Sequence, residues 1–408
     1  MQVSRLLSLT PLGRRCQINR QSWGGPLNSA RAVLNHEGRV RLGLRGSAVL
    51  IAAAMAIASP SRAEDIKLSL GGFFTGVGAA TDKNGPVGEA DMPFGSDAEL
   101  HVRGTTLLNN GIEVGFFGSY VINDNCAVGK QTPAPPVFLS CIEDDVNQVF
   151  VDLQTGLGKL RVGQTRSVAS QLMIATPTPF GRISADNAEL DPLALGNVNS
   201  ALDDSGHGVR VVYVTPGRPF GLQLGVSYLY DPDEYGPLVT IVPDPLHPNS
   251  NGKTAFAAAV NFEREISEVV LRGAVAYYLD NRRNGAQDPQ GYNIGLQLGY
   301  GAFTLGGNFT KGDNMDHRTS YLNESETNIW SAGVTWGSGP WLVGVNYADG
   351  EDKLDGTSAD FNSLVGGLSY EFGEHFKVGL GYQHDDANPL AGASADGNAV
   401  FMETGLKF

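Results

Sequence analysis

The chain has 408 residues, 41% hydrophobic and 18% charged, with a formal net charge of −14. So acidic a chain lacks the basic footprint that phosphates require, which excludes nucleic-acid binding as its main work. Its 18 Phe, 13 Tyr and 4 Trp are spaced along the chain, which argues against acid-rich disorder.

Residues 1–44 carry many arginines, a single acid, Glu37, and no apolar periodicity. A misassigned start codon is the simplest account; an unusually long leader and a mitochondrial transit peptide are alternatives. After Arg45 comes a short apolar core, Gly46 to Ala58, followed by Ser59-Pro60-Ser61-Arg62-Ala63. A positive flank, a short greasy stretch and small residues before a cut make a secretory signal peptide, too short for a spanning helix. Cleavage is predicted between Ala63 and Glu64, so that residues 1–63 are removed and residues 64–408 form one domain. The removed part takes nine arginines and Glu37 with it and leaves 20 basic against 42 acidic residues, a net charge of −22. No later apolar run approaches the length of a transmembrane helix.

From Ile66 onward the pattern changes to period two, in segments separated by turn signals about every ten to twelve residues. Sixteen such segments are predicted as strands, near 66–81, 98–109, 111–123, 145–155, 158–166, 207–215, 219–230, 253–264, 267–279, 291–300, 302–311, 326–336, 340–349, 360–372, 375–385 and 398–408. Tight links such as Asn109-Asn110-Gly111 and Phe372-Gly373-Glu374-His375 alternate with long polar ones. On the third strand Ile112, Val114, Phe116, Tyr120 and Ile122 share a side, and on the seventh Phe220, Leu222, Leu224, Val226, Tyr228 and Tyr230 do. Trp330, Trp336, Trp341, Tyr347, Tyr292 and Tyr300 gather at strand ends, where a membrane interface would place them. The fold class predicted is all-β, a 16-stranded antiparallel transmembrane barrel.

Between the third and fourth strands lie Cys126 and Cys141, which outlast removal of Cys16. In an oxidising compartment the pair reads as a local disulfide; two free thiols are the alternative, and a metal site is weaker still with no histidine beside them. The longest unpatterned stretch follows the fifth strand, from Ser167 to Ser205, and its length marks it as functional. It holds Pro177-Thr178-Pro179-Phe180-Gly181-Arg182, then Asp186, Glu189 and Asp191, and later Asp203 and Asp204.

The last strand ends the chain. Val400, Met402, Thr404, Leu406 and Phe408 fall on one side, and Phe401, Glu403, Gly405 and Lys407 on the other. This ending, with its terminal Phe408, resembles the carboxy-terminal assembly signature of Gram-negative outer-membrane proteins, and residues 64–408 as a whole resemble a general porin of the alphaproteobacterial kind. The resemblance implies a water-filled channel for passive diffusion of ions and small hydrophilic solutes. It also implies a homotrimer among outer-membrane lipid and lipopolysaccharide, inserted by the outer-membrane assembly machinery, with the third external loop folded into the lumen. In that family the loop's acids face basic side chains across the opening. Here Asp186, Glu189, Asp191, Asp203 and Asp204 stand for the acidic side. By phase, Lys67, Arg103 and Arg161 stand for the basic wall, with Arg210 and Arg272 as further members. The balance leans negative, so a modest preference for cations is expected.

A substrate-selective channel is the alternative, and an outer-membrane barrel enzyme a weaker one. For the enzyme, His101 beside Glu99 and Arg103 is the best-placed histidine, and one histidine is not a triad. No cofactor is implied; Asp144-Asp145 and Asp385-Asp386 could hold calcium at strand ends, although solvation accounts for them as well. The leader makes a direct prediction. Intact-mass measurement of purified outer-membrane material should give a chain beginning at Glu64, and a mass retaining residues 1–63 would contradict the export signal.

Overall fold

Alternation of apolar and polar residues with β-branched and aromatic types commits each segment to a strand whose two faces meet different surroundings. The computed structural model describes residues 65–408 apart from 85–93, 125–145, 187–188, 194, 196–198, 201, 203–207, 218–219, 231–251, 283–287, 315–324, 355–356 and 390–392. The cleavage pair Ala63 and Glu64, the cysteines Cys126 and Cys141, and Asp203 and Asp204 lie outside the described residues.

Sixteen strands are present. The first eight are β1 Lys67–Asn84, β2 Phe94–Leu107, β3 Glu113–Asp124, β4 Val146–Thr155, β5 Gly158–Gln164, β6 Val209–Val214, β7 Leu222–Tyr230 and β8 Gly252–Ile266. The others are β9 Val269–Arg282, β10 Gln290–Tyr300, β11 Phe303–Asp313, β12 Ser325–Ser338, β13 Trp341–Leu354, β14 Thr357–Phe372, β15 Phe376–Asn388 and β16 Ala395–Lys407. Among the described residues one short helix, α1, spans Val168–Gln171 after β5. Every strand pairs antiparallel with its sequence neighbours, and β1 pairs with both β2 and β16. The sheet therefore closes on itself and keeps no edge. Closure runs from Asn84↔Asp396 to Phe73↔Lys407, and Gly72 and Phe408 then exchange backbone hydrogen bonds of 3.0 and 3.1 Å.

Phase separates two surfaces cleanly. On β16, Val400 is 63% and Met402 48% exposed, whereas Phe401 is 1% and Glu403 3%. Leu222, Leu224, Val226 and Tyr228 on β7 and Phe116, Tyr120 and Ile122 on β3 are exposed as well. A wall whose greasy side chains point outward and whose polar ones point inward is suited to lipid outside and water within. Aromatics ring both ends: Trp341, Tyr370, Phe372 and Phe376 touch in series at one, and Trp330 packs on Tyr347 at the other, 5.3 Å between centroids.

Several boundaries differ from the alternation by a few residues, three of them for clear physical reasons. The seventh strand begins at Leu222 rather than 219, because Phe220 and Gly221 have φ of +76° and +81°, which no strand accommodates. The thirteenth and fourteenth strands run on to Leu354 and from Thr357, pairing Glu351 with Asp360 and Lys353 with Ser358. Backbone pairing needs no apolar face once a hairpin stands clear of lipid.

Gly163 in β5 has φ +140°, and a Cβ there would lie 2.3 Å from the Val149 carbonyl oxygen. Gly163→Ala should therefore cost about 1–3 kcal/mol in backbone strain and overlap. Unfolding in urea, followed by heat-dependent gel mobility, should show the loss, while Gly156→Ala, where a Cβ meets nothing within 4 Å, should not.

Candidate functional site

The segment from Thr165 to Gly208 joins β5 to β6, and its described part is bonded to strands around most of the barrel. Ser167 caps α1 by accepting from the Ser170 amide. The Val168 amide donates to Ser227 Oγ on β7 at 3.1 Å, and Asn261 on β8 donates to the Leu172 carbonyl at 2.9 Å. Gln297 on β10 donates to the Ala175 carbonyl at 2.7 Å, and Asn346 on β13 to that of Pro177 at 3.2 Å. Thr176 and Ser331 on β12 share a hydrogen bond. Farther on, Glu403 of β16 accepts from the amides of Gly181 and Arg182 at 2.6 and 2.9 Å. All these wall partners lie in the phase opposite the exposed apolar residues.

Small wall residues make the room. Gly225, Gly295, Gly333, Gly344, Gly367 and Gly379 share that phase, and a Cβ on each would press on Val168, Ile174, Pro177, Pro179 or Phe180. At Gly333 it would lie 2.7 Å from the Pro177 carbonyl oxygen and 2.8 Å from Thr176 Cγ2. Alanines do the same on β8, where Ala255, Ala257 and Ala259 are buried with Val168 and Ala169. A second apolar cluster sets Phe180, Ile183 and Leu190 against Val77, Ile329, Val365 and Phe401, with the rings of Phe180 and Phe401 4.8 Å apart.

Asp186, read from the sequence as a charge facing the opening, is 2% exposed. Its carboxylate accepts from Ser184, Ser200, Asn308 and Ser331 at 2.5–3.2 Å. Four donors from the loop, β11 and β12 converge on one buried anion, so Asp186 ties the loop to the wall. Asp191 caps the Leu193 amide at 2.9 Å and accepts from Gln383 on β15 at 2.9 Å. Glu189 pairs with Arg182 and stays about one-third exposed.

The basic residues are dispersed. Arg161 makes a two-pronged ion pair with Asp152 at 2.7 and 3.0 Å, and Arg272 faces Glu263 at 3.4 Å. Arg210 is buried, 3% exposed, on β6. Lys67 opens β1 at the end where the chain terminates, apart from the loop, and Arg103 is exposed on β2. The base that forms an ion pair with a loop acid among the described residues is Arg182, which the sequence reading passed over. It pairs with Asp97 of β2 at 3.1 Å as well as with Glu189, and lies 4.4 Å from the ring of Phe73 on β1. Glu403 and Arg182 carried a sequence signal: one is an acid in the wet phase of an apolar strand, the other the sole cation of the Pro-Gly stretch.

A cavity of about 620 Å³ opens below this contact, lined by Phe73, His101, Arg182, His375, Lys377 and Glu403 among others. His101 Nε2 lies 3.5 Å from Glu99 and its ring packs between Phe73 and Phe117.

Solved structures share the fold at low identity. The OmpF of Salmonella typhi in complex with daunomycin aligns over 84% of this chain and 98% of its own, with TM-score 0.58 and 15% identity. The anion-selective porin from Comamonas acidovorans aligns over 84% and 100%, with TM-score 0.54 and 16% identity. The trimer form of OmpT from Vibrio cholerae aligns over 85% and 100%, with TM-score 0.55 and 12% identity. A search of curated protein sequences returns no match. The Gram-negative porin profile matches residues 47–390. A match over most of the sequence, with a closed sixteen-stranded barrel built greasy side out, means that the chain belongs to the Gram-negative porin family, a multi-pass β-barrel of the bacterial outer membrane and a channel for passive diffusion.

Proposed function

We propose that the loop from Thr165 to Gly208 narrows this channel, leaving a passage between its tip and the inner wall of β2–β5, through which ions and small hydrophilic solutes diffuse. The observation that carries this reading is the run of loop contacts on inward-facing groups of β7, β8 and β10–β16, ending at Arg182 on β1 and β2. On β4 and β5 the contacts are confined to the loop's first residues, where Thr165 and Gln171 meet Gln148 and Arg161, and the rest of that wall is left to the passage. The assembly is a homotrimer in this reading, supported by the trimer form of the Vibrio cholerae structure.

The charge preference follows from which charges face the passage and lack an opposite partner. Asp186 and Asp191 are turned against the wall, held there by hydrogen bonds, and Arg161 is matched by Asp152. At the loop tip two acids, Asp97 and Glu189, hold one base, Arg182. The local sum is negative, so the channel prefers cations modestly, more so at low salt where charges are less screened.

Two measurements test the reading. Glu189→Gln should lower the potassium-to-chloride permeability ratio by about a factor of two, the loss of one partly screened charge. An unchanged reversal potential in a salt gradient would remove Glu189 from the passage. Gly333→Leu places a side chain where Pro177 and Thr176 now sit, and single-channel conductance should rise as the loop is displaced. Gly366→Ala, whose Cβ meets Val345 at an ordinary 3.4 Å, should leave conductance alone, and equal conductance in both variants would mean that the loop does not set the aperture.

A further inference from the structure

A channel for hydrophilic solutes has no need of a phenyl-lined wall, yet four rings cross the inner face of β1–β4. Phe73 and His101 have centroids 5.9 Å apart, His101 and Phe117 5.4 Å, and Phe117 and Phe150 5.0 Å with the last pair stacked. Guanidinium groups alternate with them: Arg182 lies 4.4 Å from Phe73, Arg103 5.7 Å from Phe117 and Arg161 3.6 Å from Phe150. The two ends of the row are occupied, since Arg182 and Arg161 cover their rings and are themselves ion-paired. The middle is open. Phe117 and His101 are half-exposed, and Arg103 is exposed and makes no ion pair among the described residues. Beside Arg103 is a cavity of about 100 Å³ that Phe117 and Lys159 also line.

We propose that this row is a binding surface for planar aromatic monocarboxylates, with the carboxylate on Arg103 and the ring against Phe117 and His101. Ring faces favour another π-system over a saturated ring of equal size, and a guanidinium matches a carboxylate in shape and charge. Of the three guanidinium groups in the row, Arg103 alone is outside an ion pair among the described residues, so the surface matches one carboxylate and favours monoanions over dianions. The proposal rests on the reading that the passage runs along the wall of β2–β5.

The test uses the mature chain in planar bilayers, with benzoate, cyclohexanecarboxylate and benzamide as blockers of the potassium chloride current. Benzoate should half-block at a concentration about threefold below that of cyclohexanecarboxylate, the margin that one aromatic pair supplies, and benzamide should block least. Phe117→Leu should erase the difference between benzoate and cyclohexanecarboxylate. Arg103→Gln should erase that between benzoate and benzamide. Equal block by benzoate and cyclohexanecarboxylate in the unaltered protein would overturn the proposal, as would a benzoate advantage that survives Arg103→Gln. If Phe117→Leu gives no channels, the unaltered protein and Arg103→Gln still decide. Failure of the constriction reading would appear instead in the Gly333→Leu conductance, which the choice of blocker does not affect.

Discussion

Everything in this structure depends on the pairing of β1 with β16. In lipid no backbone amide or carbonyl can be left to water, so a sheet crosses a membrane only if its two edges find each other. Here they meet over twelve residue pairs and a final exchange between Gly72 and Phe408. Once the sheet is closed, phase alone decides the environment of every side chain. Lipid takes one face, and the other must be filled with water, loop or both.

Sixteen strands enclose more space than their own side chains fill. The loop occupies part of it by packing as a core element. Phe180 and Ile183 are 4% and 1% exposed, packed among Val365 and Phe401, and Gly367 and Gly379 on the wall give the Phe180 ring its room. Polar anchors then fix position. Glu403 holds the backbone at the tip and Asp186 gathers donors from two strands, each a buried carboxylate whose hydrogen bonds offset its desolvation. Apolar contact supplies the gain, and charge-assisted bonds supply the address.

The barrel was legible in the sequence because period two is local: Val400 and Met402 announce their side without reference to any other strand. The same holds for the strand number and for the tight links, each marked by its own residues. The site was less legible. A loop acid such as Asp186 looks identical in sequence whether it faces water or four donors, and the donors Asn308 and Ser331 lie more than a hundred residues away. Arg103 and Arg161 share a phase and a wall, yet Asp152 neutralises only the second, a difference fixed by strand register. The wet-phase glycines were a signal that alternation could have found. They look like weak points in a strand until the loop that needs the space is placed over them.

The loop also alters how the tube bears load. A barrel held only by neighbour-to-neighbour ladders can flatten into an ellipse at little cost, since each ladder bends slightly. A chord running inside from β7 to β16 and on to β2 ties together strands on opposite arcs, as a spoke stiffens a rim. The bore is thereby shielded from lateral pressure in the bilayer, and its cross-section belongs to the protein rather than to the lipid around it.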